Sequence, residues 1–164
     1  MTSYQASFFN LANSRTRWGL YLFAKLPAAY FSGVKVQEIS EDRCVTSVGY
    51  KFLTKNPFKS IYFASLAMAA EMSTGLLAMS NMYKRDFRVS LLVIKMEASY
   101  FKKATGTILF TCEQGREFAS VIEHAIQSGA PATFVAASIG KNEMNEAVAG
   151  FYFTWSFKVK TGKL

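Results

Sequence analysis

Residues 56–75 read NPFKSIYFASLAMAAEMSTG. From Ile61 to Ala70 almost every side chain is apolar or small, Glu71 interrupts, and apolar residues resume at Met72. A carboxylate in such a setting is costly to bury unless it is paired, hydrogen-bonded or protonated. The stretch 59–82, rich in Ala, Leu and Met, is the one long apolar helical candidate, and Asn56-Pro57 breaks the chain ahead of it. A helix apolar on most sides must be wrapped by something. A strongly curved antiparallel sheet is the natural wrapping, giving an α+β domain. Glu71 is then either the wet side of this helix or a functional group held on it.

The flanking sequence supplies the sheet. Val34 and Val36 alternate with Lys35 and Gln37, the turn residues 41–43 (EDR) follow, and 44–51 (CVTSVGYK) is β-rich, so 34–51 reads as a hairpin. Further on, Leu92, Ile94, Met96, Ala98 and Tyr100 alternate with Val93, Lys95, Glu97 and Ser99, and Ile108, Phe110 and Cys112 with their neighbours. Residues 116–127 read as a second helix stopped by Gly129 and Pro131. Ala132–Ile139 and Ala147–Lys160 are the last strands, with Phe151, Phe153, Trp155, Phe157 and Val159 on one face of the second.

The 164 residues suit a single domain, 1–164, and a composition that is 51% apolar, 15% aromatic and 18% charged excludes disorder. A formal charge of +8 favours acidic partners without choosing among phosphorylated small molecules, nucleic acid and an anionic membrane. The basic residues are dispersed and no nucleic-acid motif occurs, which argues against nucleic acid. With no CxxC and one histidine, neither a zinc nor a redox site is supported, and Cys44 and Cys112 read as buried free thiols. At the N-terminus, Tyr4, Phe8, Leu11, Trp18 and Leu22 fall at helical spacing, so 1–27 reads as an amphipathic helical extension that packs on the domain or lies on a membrane surface. The run from Trp18 to Ala24 is too short for a signal peptide, and Lys25 and Pro27 interrupt it. No stretch reaches the roughly 20 apolar residues of a membrane span, so the expected location is the cytoplasm.

Segment 56–75 resembles the signature of hotdog-fold acyl-CoA thioesterases of the PaaI-like kind. The family pattern opens on an Asn, continues through a small residue and a His-Gly-Gly stretch at the start of the central helix, and places an Asp or Glu a little over two turns in. The matching positions are Asn56, then Ser60-Ile61-Tyr62-Phe63-Ala64, then Glu71, with Gly75 where a small residue is common. SYFKKATG (99–106) is similar to a strand-to-strand element of the same family. The likeness covers roughly residues 30–160 and is greatest to a branch of uncharacterised function that adds an N-terminal helix. It departs where Tyr62 replaces the His and Phe63-Ala64 replace Gly-Gly.

The resemblance implies a hotdog fold, a homodimer or a dimer of dimers, and a site at each subunit interface. It assigns Glu71 and Asn56 as catalytic, with Ser60, Tyr62, Phe63, Ala64, Gly75, Lys102 and Lys103 binding the substrate. No cofactor is implied; a CoA or acyl-carrier thioester is the substrate. Glu71 is the only acid between Asp42 and Asp86. It would attack the thioester or activate water, while amides near Phe63 and Ala64 receive the oxyanion. Lys102 and Lys103 would hold CoA phosphates, with Lys84, Arg85 and Arg88 as second choice. Two other readings stay open: a hotdog protein that binds acyl or CoA esters without catalysis, and peripheral membrane association through the charge and the N-terminal helix.

Overall fold

The computed structural model describes residues 3–85 and 88–160. Its centre is the helix α4 (Phe63–Met82), which buries residues all around its circumference, from Ser65 and Leu66 to Ser80 and Asn81. By length and hydropathy α4 could cross a membrane, contrary to the expectation that no stretch is long enough; 67% of its most apolar window is buried inside the fold, so its apolarity serves the core.

Six antiparallel strands wrap this helix: β1 (Lys35–Ile39), β2 (Cys44–Gly49), β3 (Arg88–Tyr100), β4 (Thr107–Cys112), β5 (Ala132–Lys141) and β6 (Ala147–Lys160). They lie in the order β1-β2-β4-β5-β6-β3, so β1 and β3 are the two edges. The curved sheet around a long helix is the hotdog architecture expected from the sequence. The inward face of β6 forms the floor, with Phe151, Phe153, Trp155 and Phe157 all 3% exposed or less. A helix α5 (Gly115–Ser128) covers α4 from the other side through Phe118, Ile122 and Ala125, one stripe at helical spacing. Cys44 and Cys112 oppose each other in the β2–β4 register as buried free thiols, and burial pushes the Cys112 thiol up to about 11.

Two expectations need correction. The N-terminal extension is not one helix but α1 (Ser3–Ala12) and α2 (Arg15–Lys25), followed by the short α3 (Pro27–Phe31). The break is made by Asn13, whose amide group donates to the Ile39 carbonyl and accepts from the Ile39 N–H, both at 3.1 Å. One side chain thus replaces a strand partner at the end of β1. Phe8, Trp18 and Leu22 are buried, so the extension is part of the core.

The alternation in β3 also changes phase. A bulge at Ile94 interrupts the register with β6. Before it Leu91 and Val93 oppose Phe157 and Trp155; after it Met96 and Ala98 oppose Phe153 and Phe151. Leu92 therefore does not share a face with Met96, because an extra residue flips the pleat. Past the bulge the inward side is bare: Met96 and Tyr100 are 45% and 48% exposed.

Backbone proximity fixes α5. A Cβ on Gly115 would come within 1.8 Å of the Glu41 carbonyl oxygen, whereas one on Gly19 in α2 would meet nothing within 4 Å. Gly115→Ala should cost about 2 kcal/mol or more, and Gly19→Ala should add about 0.5–1 kcal/mol of stability. Urea unfolding of the two variants checks this; equal midpoints would contradict the packing described.

Candidate active site

The β2–α4 connection is held by side-chain hydrogen bonds. Thr54 accepts from the Lys51 N–H at 2.8 Å and donates to the Gly49 carbonyl at 2.7 Å. The Asn56 carbonyl oxygen accepts from the main-chain N–H groups of Phe58 (3.0 Å) and Ser60 (3.2 Å), and its Nδ2 donates to Ser60 Oγ at 3.0 Å. Lys59 takes a left-handed conformation with φ 58°, and Lys55 and Ile61 form an isolated bridge. These bonds keep the chain extended to Tyr62, so the helix begins at Phe63 rather than at residue 59.

The late start has a chemical consequence. Tyr62 occupies the N-cap position with ψ 134° and makes no side-chain cap bond. The first amides of a helix have no intrahelical acceptor. Those of Phe63 and Ala64 therefore stand at the positive end of a 20-residue dipole without a cap. In front of Phe63 lies an open cleft of about 570 Å³. The β2–α4 loop forms one wall, through Asn56, Ser60, Tyr62 and Phe63; residues 100–104, which include Lys102 and Lys103, form the other. Six of the nine residues singled out from the sequence thus converge on one cleft.

Their roles within it differ. Asn56 spends its amide on the loop, so it shapes the cleft. Tyr62 and Phe63 pack edge to face at 4.7 Å and are 47% and 52% exposed at the mouth. Lys102 is paired with Glu146 at 2.6 Å, while Lys103 donates to the Phe58 carbonyl at 3.3 Å and meets no acid among the described residues. In the second-choice cluster Arg85 pairs with Glu123 at 2.9 Å and Lys84 lies over the Tyr83 ring; the Arg88 side chain is outside those described.

Ala64, Glu71 and Gly75 do not line the cleft. Glu71 is eight residues past Phe63, about 12 Å along the axis. Ala64, Ala67, Met68 and Glu71 follow i, i+3, i+4, i+7 spacing and are the half-buried residues of the first half of α4. That stripe is the less completely buried side of the helix's first half. The Glu71 carboxylate has no hydrogen bond or ion pair among the described residues, and burial raises its pKa from the ordinary 4.5. Gly75 gives it room: a Cβ there would lie 3.1 Å from Glu71 Oε1 and 3.3 Å from the Trp155 ring. Thr74 accepts from Trp155 Nε1 at 3.0 Å and donates to the Glu71 main-chain oxygen at 2.9 Å, fixing this turn of the helix. Ser73 points away, to Ser138 at 2.8 Å.

Sequence reasoning missed Trp155 as the neighbour of Glu71, since only the β6 register brings them together. It also passed over Tyr100 and Phe101 as cleft residues, although the SYFKKATG element contained them. His124 is exposed on α5 and lines no part of the cleft.

Comparison with known proteins agrees with this architecture. A family model described as a domain of unknown function, DUF4442, matches residues 16–155. No curated protein matches the chain. Among solved structures, a Pseudomonas aeruginosa protein of unknown function described as a probable thioesterase is 18% identical, with a TM-score of 0.74 over 88% of this chain and 96% of that one. A Chlorobaculum tepidum protein of unknown function is 14% identical, with a TM-score of 0.73 over 90% of this chain and 98% of its own. A Haemophilus influenzae thioesterase is 12% identical, with a TM-score of 0.61 over 84% and 87% of the two chains. At these identities the likeness establishes the hotdog fold.

The raised Glu71 pKa fixes the sign of a pH effect. The folded chain favours the protonated carboxyl, so the stability this gives is present below pH 4.5 and is lost as pH rises from there through the raised value. Glu71→Gln, which cannot ionise, should therefore unfold at a higher temperature than wild type at pH 7 and at the same temperature at pH 3.5, within about 1 °C. Calorimetric scans at both pH values measure this. A variant less stable than wild type at pH 7 would mean that the carboxylate is stabilised in the fold.

Proposed function

Because the chain belongs to the DUF4442 family and its fold is that of the hotdog thioesterases, we propose that it hydrolyses an acyl-CoA or related thioester at the interface of a homodimer. One observation carries this reading. The described residues that line the cleft include helix-terminal amides and no acid, while the one α4 carboxylate sits without a bonded partner among the described residues about 12 Å along the axis, on the helix's half-buried stripe. A second protomer laid against that stripe joins the two halves, with Glu71 of one chain facing the helix start of the other. The long β3 edge and the bare inward Met96 and Tyr100 beside it supply the matching surface.

In this arrangement the thioester carbonyl sits before the amides of Phe63 and Ala64. Either the Glu71 carboxylate attacks the carbonyl carbon, the C–S bond breaks and water then hydrolyses the mixed anhydride, its proton going to the thiolate, or the carboxylate draws a proton from an attacking water and passes it to the sulfur as the C–S bond breaks. The amides receive the negative charge that develops on oxygen. Lys103, which has no acid partner among the described residues, meets the carrier's phosphate, with Lys102 shared between phosphate and Glu146. Burial, which raises the Glu71 pKa, makes it a stronger base than an exposed carboxylate. A second reading, binding without turnover, is favoured by the Phe63 ring standing half-exposed at the mouth where the family pattern has glycine.

Thiol release from short, long and aryl acyl-CoAs separates the two. Wild type should turn over at least one ester, Glu71→Gln should lose about 100-fold or more in kcat, and Phe63→Pro should lose about 100-fold. Proline is tolerated at the first helical position and removes one amide donor without breaking the helix. Turnover unchanged in Glu71→Gln would remove the carboxylate from the chemistry. Esters that bind without any turnover would favour the binding module.

A further inference from the structure

The N-terminal helices present a surface that the proposed chemistry does not use. Leu20, Phe23, Leu26, Tyr30 and Phe31 lie within twelve residues of α2 and α3 and are between 42% and 66% exposed. Three of them form one aromatic cluster: Phe23 to Tyr30 is 5.3 Å between ring centres, Tyr30 to Phe31 5.4 Å and Phe23 to Phe31 6.2 Å. Rings held against one another and left in water are costly unless something covers them.

The charge around them has a single sign. Residues 1–37 contain no Asp or Glu, while Arg15, Arg17, Lys25 and Lys35 are all exposed and make no ion pair among the described residues. Some exposed bases elsewhere do pair with acids, as Arg43 does with Glu38 and Arg116 with Asp42. The patch stands beside β1, at the opposite sheet edge from β3, so the dimer proposed above leaves it open. Lys51 extends the positive rim, its ammonium lying beside Gly33 at the end of α3.

Leucines and aromatic rings beside unpaired cations, in a segment without an acid, are complementary to an anionic lipid bilayer. The rings enter the interface and the cations meet the head groups. An acyl-binding protein surface or a nucleic acid would not call for five bare apolar side chains framed by cations in this way. We infer that α2 and α3 dock the protein peripherally on anionic membranes, rings inward, independently of whether the cleft turns over thioesters.

Vesicle co-sedimentation of the full-length protein tests this, with phosphatidylcholine alone and with a phosphatidylcholine and phosphatidylglycerol mixture. Wild type should sediment with the anionic vesicles, at least about tenfold more tightly than with neutral ones, and release at high salt. Phe23→Ser/Phe31→Ser should lose the binding. A second variant with Arg15, Arg17, Lys25 and Lys35 all changed to Gln should lose it too, with an expected loss of about fivefold for each cation. Both change only exposed side chains, so their thermal unfolding should match wild type. Failure of wild type to sediment with anionic vesicles, or binding that survives either set of changes, would overturn the inference. So would a fall in oligomer size in Phe23→Ser/Phe31→Ser, which would assign the patch to contact between copies of the chain.

Discussion

Everything in this molecule answers to a helix that is apolar nearly all around. α4 cannot face water, so six strands curl about it and α5 closes the remaining side. Burial of this kind scales with apolar area, at roughly 25 cal/mol per Å², and it is the dominant gain available to a domain of this size. Most of the polar groups that α4 carries inward are bonded. Ser73 meets Ser138, Thr74 meets Trp155, and the Ala69 carbonyl accepts from Thr46. The Glu71 carboxylate has no such partner among the described residues, and it falls on the half-buried stripe of the helix.

The position of the helix start follows from a competition that Asn56 wins. Residues 59–62 could add a turn to α4, but the Asn56 side chain takes the amides of Phe58 and Ser60, and Tyr62 remains extended. The helix therefore opens at the wall of a cleft instead of inside the loop. Its first amides point their partial charge where a carbonyl oxygen could lie. In the proposed chemistry the substrate side and the acid side are therefore separated along one helix, and a second copy would reunite them.

Much of this could be read from the sequence, and what could not has a common cause. The all-round apolarity of 59–82, the alternation of β6 and the isolation of Glu71 are periodic or compositional, and each survived contact with the structure. The helix start at Phe63 and the break at Asn13 are set by single side chains that bond the main chain, one of them 26 residues away in Ile39. Periodicity carries no trace of such bonds. The bulge at Ile94 reverses the faces of β3 without altering its apolar content. Among the site residues, the loop set Asn56, Ser60, Tyr62 and Phe63 was legible because it is local. The closeness of Glu71 to Trp155 depends on a sheet register that no local pattern encodes.

The central claim is that each site draws its carboxylate from one chain and its amides from the other. Mixing two impaired proteins tests it most directly: Glu71→Gln, which lacks the acid, and Phe63→Pro, which lacks an amide donor. After unfolding and refolding together, half of the dimers carry one copy of each, and one of the two sites in such a dimer is intact. The account predicts recovery of about a quarter of the wild-type rate of thiol release. A mixture no more active than its two components would place carboxylate and amides in the same chain and contradict it.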